Sequence, residues 1–119
     1  MATRSAIAIR NSDATYDVIY CHWDGYPSHQ LPILHNKYNT AKKIRRLIAK
    51  GDLSVLETAH GWNHEERKAG PLYYFERGDV DCEPRNVSAN ELLEFAKNCY
   101  CEYLYTYLPR WGWRYDKIC

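Results

Sequence analysis

Residues 4–23 carry the pattern that most restricts the fold. Ala6, Ala8 and Arg10 alternate with Ile7 and Ile9, and a period of two marks a β-strand. Asn11, Ser12 and Asp13 follow. Their short polar side chains bond neighbouring backbone and tolerate turn geometry. Residues 15–23 are rich in Thr, Tyr, Val, Ile and Trp, the types that fit a pleated surface. Two such runs, this close in sequence, predict an antiparallel hairpin. Asp24-Gly25-Tyr26-Pro27 ends it, because Pro27 has no amide for a ladder.

Helical spacing comes next. Leu31, Leu34, His35 and Tyr38 share one side of a short helix over residues 29–38, with Pro32 suited to its first turn. Asn39 or Thr40 caps a second helix that places Ala41, Ile44, Leu47 and Ile48 together and stops at Gly51. Residues 58–70 read as a loop holding His60, Trp62 and His64, and residues 72–76 as a third strand. Residues 78–85 form an acidic connection with Asp79, Asp81 and Glu83. Ser88 and Glu91 have the spacing of a capping box, with Val87 and Leu92 at the flanking apolar positions. Leu92, Phe95, Ala96 and Cys99 then mark an amphipathic helix over residues 88–98. Tyr103, Tyr105 and Tyr107 alternate with Glu102, Leu104, Thr106 and Leu108, and residues 113–118 return after a turn. The order ββααβαββ predicts an α+β fold: an antiparallel sheet of about five strands with two or three helices on one face.

A chain of 119 residues fits a single domain. Its 45% hydrophobic and 14% aromatic content is that of a folded protein. Many of the 11 tyrosines are expected on the outer face of the sheet. No apolar run approaches the ~18 residues of a membrane-spanning helix. Arg4, Arg10, Asp13 and Asp17 interrupt any signal-peptide core. The five cysteines are an odd set, expected to be reduced thiols in a cytoplasm. Residues 1–50 carry eight Lys/Arg against three Asp/Glu, whereas residues 51–119 carry eight against twelve. The chain is therefore polarised along its length although its net charge is +1.

Three stretches resemble small proteins encoded by tailed bacteriophages. They are the Thr3-Arg4-Ser5-x-Ile7 strand, the turn from Tyr20 to Pro27 (YCHWDGYP), and Leu47-Ile48-x-x-Gly51-Asp52-Leu53-Ser54. The resemblance covers about the first 56 residues. Those phage proteins have no assigned function. The resemblance implies a phage genome and action in the host bacterial cytoplasm. Phage proteins of this size often bind and redirect or inhibit a host protein, some of them a defence system in the manner of anti-CRISPR proteins.

Four aromatics are candidates for anchoring such a partner: Trp23, Tyr26, Trp111 and Trp113. The second helix offers an alternative, nucleic-acid binding through Lys42, Lys43, Arg45, Arg46 and Lys50. A third reading is a small thiol or metal-dependent enzyme. Cys21 and His22 are adjacent on a strand and so point to opposite faces, which separates them as a catalytic pair. His60-x3-His64 and Cys99-x-Cys101 lack the paired close spacing of structural zinc ligands. There is no phosphate-binding glycine loop and no hydrolase signature. No cofactor or metal is expected, and a non-enzymatic binding protein is the leading expectation.

Overall fold

The computed structural model describes residues 3–57 and 71–118. In chain order these form β1 (Ser5–Arg10), β2 (Tyr16–Trp23), α1 (Pro27–Lys37), α2 (Ala41–Ala49), β3 (Leu53–Val55), β4 (Leu72–Tyr73), β5 (Arg85–Val87), α3 (Ala89–Asn98), β6 (Tyr103–Leu108) and β7 (Gly112–Lys117). The strands make one sheet in the order β4-β3-β2-β1-β6-β7, and β5 joins it beside β2. This is an α+β fold. No helix among the described residues is long and apolar enough to cross a membrane.

The β1–β2 hairpin stands as the sequence predicts, with Ile7 opposite Ile19. The expectation of an antiparallel sheet of about five strands needs correction. Among the described residues the sheet has seven strands and is mixed, because β1 runs parallel to β6 and β2 parallel to β3. The helices do not share one face either. On one side, Leu34 of α1 and Ile44, Leu47 and Ile48 of α2 pack with Ile7, Ile9, Ile19 and Cys21. On the other, Leu92 and Ala96 of α3 pack with Ala6, Ala8, Val18 and Leu104. Parallel neighbours require a crossover connection. Here α1 and α2 link β2 to β3, and α3 links β5 to β6. The two crossovers cover opposite faces. The alternation in β1 fits both layers: Ala6, Ile7, Ala8 and Ile9 are all fully buried. A strand apolar on both sides is one covered on both sides. Alanine at two positions leaves α3 room to approach.

Local chemistry sets most helix ends. Pro27 starts α1, two residues earlier than the spacing predicts, and Pro32 falls inside the helix rather than in its first turn. Thr40 caps α2 by accepting from the Lys43 amide at 3.3 Å. Gly51 follows with φ +92°, and a Cβ there would overlap the Cys82 carbonyl. Ser88 and Glu91 make both bonds of the capping box, at 2.9 and 3.3 Å. The third strand is shorter than expected. After Tyr73 the chain turns into a 3-10 helix, Phe75–Arg77.

The β6 tyrosines do not line an open face, whereas Tyr100 and Tyr115 are exposed. Tyr103, Tyr105 and Tyr107 pack toward the α1–α2 layer. Tyr105 is fully buried, and its hydroxyl donates to the Gly25 carbonyl at 2.6 Å. Residues of the Thr3–Ile7, Tyr20–Pro27 and Leu47–Ser54 stretches contribute to the packing. Ser5 donates to buried Gln30 at 2.6 Å, and Gln30 donates to the Cys21 sulfur at 3.4 Å. Leu47, Ile48 and Leu53 belong to the α1–α2 core.

Candidate functional site

β1 ends at Arg10, β2 begins at Tyr16, β6 ends at Leu108 and β7 begins at Gly112, so the pairing places all four at one end of the sheet. The first turn of α2 reaches the same end. A hollow of about 740 Å³ opens there, walled by Arg10, Arg45, Arg110 and Arg114 with Tyr16 and Trp111. Among the described residues no carboxylate lines it. Alternation puts Arg10 on the Ala6 and Ala8 side, whereas Arg45 comes from the α2 layer, so the hollow wraps over the sheet end. Trp111 sits in the β6–β7 turn and is 83% exposed.

The guanidinium groups are held to different degrees. Arg45 donates to Asn11 Oδ1 at 2.8 Å and lies 3.6 Å from Asp17. Arg114 pairs with Asp116 at 3.4 Å, outside the hollow. Arg10 and Arg110 pair with no carboxylate among the described residues. Arg45 also forms a wall of a second hollow of about 300 Å³, which runs between α2 and β5 past Asp17, Asn86 and Arg85.

The residues singled out in the sequence separate in space. Of the basic set, Arg45 lines the hollow, while Lys42 and Arg46 are exposed on α2 beside it. Lys43 donates to Asn39 at 3.2 Å, and the Lys50 ammonium lies 5.5 Å from the centre of the Tyr73 ring. Of the aromatic set, Trp111 is at the hollow. Trp113 is half-buried, donates to the Tyr38 carbonyl at 2.8 Å and stands edge-on to Tyr107. Trp23 and Tyr26 lie at the opposite end of the sheet, 45% and 40% exposed. Arg10, Arg110, Arg114 and Tyr16 were not among the candidates. Their signal is arginine or tyrosine at a strand end or in a turn, which has no meaning until strand order is known.

Chemistry at the other candidates is limited. Cys21 is fully buried, and burial pushes its thiol up to about 11, so it is a protonated thiol at neutral pH rather than a nucleophile. His22 points away from it and shares a 2.7 Å hydrogen bond with the Tyr20 hydroxyl. Burial, then the nearby Arg4 charge, lowers the His22 pKa. Cys101 is buried and Cys99 half-buried. His60 and His64 lie outside the described residues. Among the described residues no three His, Cys, Asp or Glu side chains gather as metal ligands. No protein-family model matches the chain, and no curated protein or solved structure matches it either.

Proposed function

We propose that this chain is a small phage-encoded binding protein of the host cytoplasm, and that its contact surface is the arginine-walled hollow. Nucleic acid is the partner this surface fits best. The carrying observation is four guanidinium groups around one hollow, with no lining carboxylate among the described residues and an exposed indole on its rim. Phosphate contacts from Arg and Lys supply most of the affinity of sequence-independent binding. A net charge of only +1 is compatible with this, because four of the arginines line one hollow.

The test is binding of labelled oligonucleotides in low salt. Arg10→Glu with Arg110→Glu should abolish it, since two exposed cations become anions on the hollow wall. Lys43→Glu with Lys97→Glu, the same change of charge placed away from the hollow, should change affinity less than threefold. Equal losses from both changes would assign binding to overall charge and overturn this surface.

A second reading rests on Trp23 and Tyr26, whose exposure at the far end of the sheet fits an anchor for a host protein, including a component of a defence system. Pull-down from host lysate separates the two. A protein partner that survives nuclease, is kept by Trp111→Ala and is lost by Trp23→Ala would favour this second surface.

A further inference from the structure

We infer that the hollow takes a single strand, with an unpaired base stacked on Trp111 and the phosphates passing Arg110, Arg10 and Arg45. This deepens the nucleic-acid reading and rests on it.

The shape of the site is the first reason. The two hollows share Arg45 as a lining residue and adjoin there, so a path through both would run as a bent track from the β6–β7 turn to β5. Both are recesses, and one is only about 300 Å³. A flexible single strand can follow such a track. A duplex is stiff over ~150 base pairs and would touch only the rim.

Trp111 is the second reason. Its indole is 83% exposed and forms no hydrogen bond with a described residue. Base–aromatic stacking needs an open π-face, which an unpaired base offers and a stacked pair inside a duplex does not. Tyr16, on the same hollow, is a further aromatic wall.

Polar groups along the track are the third. Asp17 is the carboxylate lining the second hollow, and it is already engaged: Arg45 lies 3.6 Å away and Asn86 donates to it at 2.8 Å. Asn11 accepts from Arg45 and donates to Thr15 at 3.1 Å. Asn86 donates to Thr15 as well, at 3.1 Å. These are the amides that would read base edges, and the Asn86 nitrogen and both polar ends of Asn11 are already engaged within the protein. The track is therefore built for backbone and base faces, which every sequence offers.

The experiment is fluorescence anisotropy with a labelled oligothymidine of twelve residues and with the same strand paired to oligoadenine, across several potassium chloride concentrations. The single strand should bind at least ~10-fold tighter than the duplex, given stacking of about one base. Its log K against log salt should fall with a slope of roughly −2 to −3, for three to four phosphates. Trp111→Ala should weaken the single strand roughly 5- to 100-fold and leave the duplex unchanged. The variant's far-UV circular dichroism and Tm should match the parent, because the side chain is exposed. Equal or tighter duplex binding would overturn the single-strand inference and leave the nucleic-acid reading standing. Binding to neither probe would overturn both. Single-strand binding indifferent to Trp111→Ala would overturn the stacking arrangement.

Discussion

Asp52 shows how much one side chain can hold in this sheet. The outer edge of β2 is shared: β5 pairs with Tyr16–Val18 and β3 with Cys21 and Trp23. The Tyr20 amide falls between them and donates instead to Asp52 Oδ1 at 2.9 Å. Arg85 reaches both Asp52 oxygens at 3.3 Å. The Asp52 amide donates to the Cys82 carbonyl at 2.8 Å, and the Tyr74 amide donates to the Asp52 carbonyl at 3.2 Å. A carboxylate thus stands in for the missing strand. Asp52→Ala leaves the Tyr20 amide without this partner and should cost about 1–3 kcal/mol. Asp52→Asn keeps an acceptor and should cost less. Urea unfolding of the two variants checks this, and an alanine variant as stable as the asparagine one would show that the bond carries no weight. Gly51 is legible in sequence as a helix stop. Asp52 beside it is not, because the amide it serves is 32 residues away.

At the scale of elements, α3 is the one whose start could be read residue by residue. Its capping box is local chemistry, complete within four positions. The Ser88 amide and hydroxyl hold the Glu91 carboxyl below its ordinary value of 4.5. A depressed carboxyl stabilises the fold above its unfolded pKa and loses that contribution as pH falls through the folded one. Glu91→Gln keeps an acceptor but cannot titrate. Parent and variant should therefore differ most in Tm near neutral pH and converge as pH drops from 5 to 3. A gap that stays constant over that range would remove the carboxylate from the cap. Asp52 has the opposite sign. Burial raises its pKa ahead of the lowering by the Tyr20 amide and Arg85. Its contribution is therefore fully present below the unfolded value and declines as pH rises through the folded one. The hairpin was legible for the same local reasons as α3. The strands β3 and β5 were not, since three residues hold no period. The parallel pairing of Ile7 with Tyr105 joins positions that no turn signal links. Arg45 and Trp111 were legible as a basic helix residue and a turn aromatic. Arg10, Arg110 and Arg114 became a site only when strand order set their ends side by side.

Across the whole molecule, the halves that look oppositely charged in sequence are woven together. Arg110 and Arg114, from the acidic half, stand around one hollow with Arg10 and Arg45 from the basic half. The same weaving ties the two cores to one strand. Ile7 and Ile9 serve the α1–α2 layer, and Ala6 and Ala8 serve the α3 layer. Losing either layer exposes one face of β1, so the layers should unfold together. Leu47→Ala opens the first core and Leu92→Ala the second; both residues are at least nine-tenths buried. Each should cost about 2–5 kcal/mol and lower one common Tm. Far-UV circular dichroism and tryptophan fluorescence should report the same midpoint, because Trp113 is fixed to α1 through the Tyr38 carbonyl while the helical signal comes from both layers. If Leu92→Ala moved the dichroism midpoint and left the fluorescence midpoint in place, the layers would be separable units and β1 would not be the strand that couples them.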